Sequence, residues 1–207
     1  MILEITVFAV QLFVRSELQR RATVAEYIVP VDVETTGLRA DQGHLLLEIA
    51  LRIHRDTAPF AAVADDIFHR VIRHDKQTAY ELADDYVRQM HTDTGLWDEL
   101  EQGQPLDEVD RDLLAYLQEH IGQREGRLTG NSLRLDMNFM ETHLPLSAAY
   151  LHYRFLDATG MSWFLHKNFG IDYYEKDPFL AHTADGDMRE CLNEIIHIHR
   201  RIAQLNG

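Results

Sequence analysis

Cysteine is nearly absent from this chain of 207 residues: Cys191 is the only one, so no intrachain disulfide can form. A reducing, cytoplasmic setting is the matching expectation. Proline (5) and glycine (11) are too sparse for linkers or collagen-like repeats, and no low-complexity tract divides the chain. Positive charge is scarce as well, with 20 Lys and Arg against 34 Asp and Glu, a formal net charge of −14. That disfavours a non-specific grip on nucleic-acid backbone, which rests on neutralising phosphates and releasing counterions. A small anion held at a local cationic or metal site stays open. No apolar run is long enough to span a membrane: the longest, Met1 to Val14, falls short of the ~20 residues required. Its arginines (Arg15, Arg20, Arg21) follow the run, the reverse of a secretory leader. The segment reads as a strand or buried piece, and no membrane partner is expected.

What is present is an ordinary globular pattern, 45% hydrophobic and 26% charged. Residues 27–33 form a β-favouring run interrupted by Pro30, which predicts a bulge or a free edge there because proline cannot donate to a ladder. Residues 44–54 and 66–73 read as two further strands. The period then turns helical, over 78–90 and over 106–121, the latter stopped by Gly122. A short strand at 127–129, a helix over about 135–143, a brief strand at 155–158, a helix over 159–169 and a last helix over about 185–205 complete the chain. The expectation is an α/β domain, strands first and then alternating.

The sharpest chemical feature is Asp32-Val33-Glu34-Thr35-Thr36-Gly37-Leu38 at the end of the first strand. Alternation along a strand puts Asp32 and Glu34 on one face. Two adjacent carboxylates repel, and a divalent cation such as Mg²⁺ or Mn²⁺ removes that penalty. Alone, such a pair is common on exposed strand ends. Gly130-Asn131-Ser132, followed by Asp136, lies where a strand turns into a helix. Taken singly, Asp136 is an ordinary first-turn carboxylate. His182, with Asp185 and Asp187 behind it, opens the last helix, and again the bland reading is an acidic helix start.

In order, these segments make D-x-E, a distant Asp, and His with Asp five positions later. The pattern resembles the DEDDh 3′–5′ exonuclease superfamily, with four metal-binding acids and a catalytic histidine. It narrows to the oligoribonuclease family. Asp84-Asp85-Tyr86 before Met90-His91-Thr92-Asp93-Thr94-Gly95-Leu96 resembles that family's D-D-W and T-H-T-x-S-G-L, and Gly130-Asn131-Ser132 with Asp136 its G-N-S-x-x-x-D. Residues 149–157, AYLHYRFLD, resemble its A-Y-x-H-Y-R-x-x-D. The resemblance spans about residues 27–202.

The resemblance implies a ribonuclease H-like fold, with a mixed five-stranded sheet flanked by helices over residues 26–207. Residues 1–25 would be an N-terminal extension of unknown role. It implies that Asp32, Glu34, Asp136 and Asp187 hold two divalent cations, Mg²⁺ or Mn²⁺, and that His182 is the general base. The substrate would be dinucleotides and very short RNA oligonucleotides, cut from the 3′ end to nucleoside 5′-monophosphates. Leu38 and Tyr86, the latter where the family has tryptophan, would touch the bases, with His91 also at the substrate. For Tyr86, a helix-core position is the alternative. Ser132 and Thr159, with the partner subunit's His152 and Arg154, would cap the substrate's 5′ phosphate. Tyr153 would reach across a homodimer into the neighbouring site. Met137, Met161 and Tyr86 depart from the family's residues. The alternative is a superfamily exonuclease that trims longer single-stranded DNA or RNA 3′ ends; a third reading is a catalytically idle nucleotide-binding module.

Overall fold

In the computed structural model, residues 26–177 and 182–205 are described; the expectations for residues 1–25 lie outside them. Strand β1 (Tyr27–Thr35) is buried along almost its whole length and lies at the centre of the sheet. The main path runs β4 (Phe68–Val71), β2 (Leu46–Leu51), β1, β5 (Gly126–Gly130), β6 (His152–Asp157). The two-residue β3 (His54–Arg55) adds a sixth strand by pairing with the start of β1. β2, β3 and β4 join antiparallel and β5 and β6 parallel, so the sheet is mixed. The expected five strands are this main path.

Pro30 lies in the middle of the central strand, neither at an edge nor at a bulge. β1 pairs with β3 through Tyr27 and Ile28 and with β2 from Val31 onward, so residue 30 falls between the two ladders. Its carbonyl accepts from Arg52 N at 3.2 Å, and the nitrogen of the same residue faces the same junction, where no ladder donor is needed.

The period of two sorts β1. Tyr27, Val29, Val31 and Val33 enter the main core with Val109, Leu113 and Leu117 of α3 (Leu106–His120) and Phe139 and Met140 of α4 (Arg134–His143). The opposite face carries Ile28, which packs on Cys191 and Ile195 of α7 (Ala184–Leu205). Asp32 and Glu34 share that face, turned towards the final helix.

The stretch expected as one helix over 78–90 is two, α1 (Lys76–Leu82) and α2 (Asp85–Thr94). The break has a local cause: Asp84 is extended and its side chain accepts from Val87 N at 2.9 Å, starting a new helix. After the short α5 (Pro145–Tyr150), β6 starts three residues earlier than its apolar run suggests, and α6 (Ala158–Phe169) follows it directly.

Candidate active site

Three of the four expected metal-binding acids converge. Asp32, Glu34 and Asp187 each present a carboxylate oxygen within 4.8 Å of the others. β1 delivers the first two, and the first turn of α7 delivers the third. Asp136 stands beside them in the first turn of α4, where its Oδ1 accepts the backbone N–H of Val33 at 3.1 Å. That bond fastens α4 to the residue between Asp32 and Glu34. His182 is exposed, and its backbone N–H donates to Asp187 Oδ2 at 2.7 Å. It does so with φ at +67°, a region non-glycine residues occupy only when their surroundings enforce it.

Electrostatics show what the cluster lacks. Burial, and then the charges of Asp136, Glu34 and Asp187, push Asp32 well above the usual carboxylate range; Lys176 alone opposes them. Glu34 is pushed up to about 8 by burial, followed by Glu48, Asp187 and Asp136. Asp136 is raised to about 7, chiefly by burial, despite the stabilising hydrogen bond from Val33 N. Acids so crowded, with the pull of Lys176 too small to offset burial and mutual repulsion, suit divalent cations, whose hard character matches carboxylate oxygens. The residues fit that group.

The remaining expected residues divide into places. Leu38 is 74% exposed and Tyr86 70% exposed, so Tyr86 belongs to the surface and not to the core. Leu38 borders a cleft of about 560 Å³ with Arg39 and Arg134; Tyr86 borders another of about 410 Å³ with His182 and Met90. Ser132 and Thr159 meet, the backbone N–H of Ser132 donating to Thr159 Oγ1 at 3.1 Å. His152, Tyr153 and Arg154 lie on the edge strand β6 and contact one another: the His152 and Tyr153 rings stack at 4.7 Å, and the Arg154 guanidinium sits 5.4 Å from the Tyr153 ring centre.

His91, expected at the substrate, lies buried beside Glu34. Its side chain is 0% exposed. Nε2 bonds the Thr35 carbonyl at 3.0 Å, Nδ1 lies 3.9 Å from Glu34 Oε2, and the ring meets Trp97 edge-on. These contacts tie His91 to the end of β1 and to Trp97, a member of the second, smaller core under α1 and α2.

Four further residues escaped the sequence reading. Asp157 caps two elements at once, accepting Leu133 N and Gly160 N, each at 3.0 Å. Lys176 donates to Asn131 Oδ1 at 2.8 Å, within electrostatic reach of Asp32. Glu48 and His69 join β2 to β4 beside Glu34. The Asp157 cap was foreshadowed by its place before a helix; nothing local marked the other three.

Comparison with known proteins agrees with this arrangement. No protein-family model matches the chain. The oligoribonuclease of Rhodococcus jostii is 31% identical over 175 residues, 81% of this chain and 83% of that protein. That of Streptomyces griseus is 32% identical, over 81% and 82%. Among solved structures, the nuclease domain of 3′hExo, a DEDDh family member bound to rAMP, superposes with a TM-score of 0.56 at 15% identity, covering 86% of this chain and 94% of that one. Escherichia coli exonuclease I in complex with a dT13 oligonucleotide gives 0.58 at 12% identity; the overlap takes in 87% of this chain but only 41% of that larger one. These likenesses establish the ribonuclease H-like exonuclease fold. With the sequence identity holding across most of both chains, the chain belongs to the oligoribonuclease family.

Proposed function

We propose that the protein is a 3′-to-5′ exoribonuclease that degrades dinucleotides and very short RNA to nucleoside 5′-monophosphates in the cytoplasm. The observation that carries this reading is the convergence of Asp32, Glu34 and Asp187 beside His182, in a chain related over most of its length to oligoribonucleases. Two divalent cations held by Asp32, Glu34, Asp136 and Asp187 would neutralise the scissile phosphate and make water acidic enough to attack near neutral pH. His182 would take the proton of the attacking water, the general-base role its family resemblance assigns it. The water oxygen bonds to phosphorus as the P–O3′ bond breaks, and the departing 3′ oxygen ends protonated. Leu38 and Tyr86 hold the bases, since a ring or apolar side chain accepts any base by stacking.

A homodimer completes the reading. Tyr153 and Phe155 point to one face of the edge strand β6 and are 70% and 48% exposed; Trp163 and Phe164 of α6 are exposed as well. An edge that pairs with no further strand among the described residues, with this much exposed aromatic surface, supports burial against a second copy. The partner subunit's His152 and Arg154 would then join Ser132 and Thr159 around the 5′ phosphate, Arg154 gripping it by two hydrogen bonds.

The deciding experiment is a time course on 5′-labelled two-mer and seven-mer RNA with Mg²⁺ or Mn²⁺, and matched DNA. Faster cleavage of the two-mer RNA supports the reading. Equal rates on both lengths would favour trimming of longer 3′ ends, and no cleavage at all would favour a binding module.

A further inference from the structure

Glu48 stands directly opposite Glu34 in the β1–β2 register, and His69 on β4 pairs with Ala50, one same-face step away. A row of side chains therefore crosses three strands on the face turned towards α7. Glu48 is 7% exposed and both of its oxygens are occupied. Oε1 receives His69 Nε2 at 2.5 Å, and Oε2 accepts the backbone N–H of Ala184, the first residue of α7, at 3.3 Å.

The helix beyond Ala184 carries the rest of the site. Gly186 N donates to Thr183 Oγ1 at 3.2 Å, Asp187 N to the Thr183 carbonyl at 2.9 Å, and His182 N to Asp187 Oδ2 at 2.7 Å. Asp187 and His182 are thus held in one compact turn. Val33 N fastens Asp136 to β1, and Glu48 bonds the first residue of α7 to β2. A buried carboxylate next to Glu34 is electrostatically unfavourable for folding, so its presence asks for a role that outweighs the repulsion.

We propose that Glu48, oriented by His69, is a positioning residue that seats the His182–Asp187 turn against Glu34. Among the described residues, the carboxylates gathered closely enough to share a cation are Asp32, Glu34 and Asp187, and Glu48 stands behind them, bonded to His69 and Ala184. The proposal deepens the exonuclease reading and rests on it for its kinetic consequence. Its structural consequence stands apart.

The test compares Glu48→Ala, which removes both acceptors, with Glu48→Gln, which keeps a carbonyl oxygen for Ala184 N, each in the full chain. In Glu48→Ala, kcat on two-mer RNA is expected to fall about 10- to 100-fold, the range seen when residues supporting metal ligands are removed, with KM little changed. Glu48→Gln should recover most of that loss. Hydrogen exchange of the 184–187 amides should quicken in Glu48→Ala, while β1 amides stay protected. Wild-type exchange at 184–187, or an unchanged kcat, would overturn the proposal. If the wild-type protein cleaves no RNA, the exonuclease reading fails instead, and the exchange result still decides the role of Glu48.

Discussion

At the scale of single residues, the site trades stability for chemistry. Glu34 is raised from 4.5 to about 8 and Asp136 from 3.8 to about 7, both chiefly by burial. Between the ordinary and the raised values the folded protein binds more protons than the unfolded chain. Metal-free stability is therefore greatest at the acid end of that window and falls as pH rises through about 7 to 8. Thermal melts in chelator should show a midpoint that drops between pH 6 and pH 9. Added Mn²⁺ should raise it more at pH 8.5 than at pH 6, because cation binding displaces those protons. Asp32→Asn removes one charge from the crowded cluster, so it is expected to abolish turnover while raising the metal-free melting midpoint; a lower midpoint with a soluble fold would contradict the crowding account. Asp187→Ala should likewise abolish Mn²⁺-dependent activity, and retention of activity would shift the fourth ligand to Asp185.

At the scale of elements, what was legible depended on whether the cause was local. The face shared by Asp32 and Glu34 follows from strand alternation, and Asp136 in a first turn follows from the strand-to-helix switch after Gly130. The division of residues 76–94 into two helices escaped periodicity because the apolar spacing runs on across the Asp84 cap. Pro30 misled because a proline rule for ladders assumes one partner per side, and β1 changes partner at that residue. Glu48, His69 and Lys176 act only through long-range packing, so no spacing announced them. Asp157 is the element-level residue most exposed to test. Asp157→Ala strips one cap from the turn before α4 and another from α6, and denaturant unfolding should register a loss of about 1–2 kcal/mol per cap. Tyr86→Ala, on a surface helix, should leave stability unchanged and raise KM for two-mer RNA by roughly 5- to 150-fold, the worth of one stacked base.

At the scale of the whole molecule, acidity and recognition are compatible. On the proposed function, a chain of net charge −14 acting on a substrate of one or two phosphates has little use for a basic surface. Its expected response to salt is correspondingly weak, and kcat/KM on a two-mer should vary far less between 50 and 200 mM salt than for a protein tracking long strands. Assembly is the larger question. If the proposed homodimer forms through this face, Phe155→Asp together with Trp163→Asp should leave a monomer in sedimentation and slow two-mer cleavage, since β6 carries His152 and Arg154; sedimentation of the wild type as a monomer would overturn the dimer. The position of β1 has its own consequence. The strand that bears the first two acids is flanked by neighbours on both sides, whereas the histidine rides on a separate limb of the chain. Warmed gently, such a molecule would loosen the turn that bears both His182 and Asp187 while the sheet kept the other acids in place: inactivation would precede melting, and cooling would restore the lost rate without any refolding of the sheet.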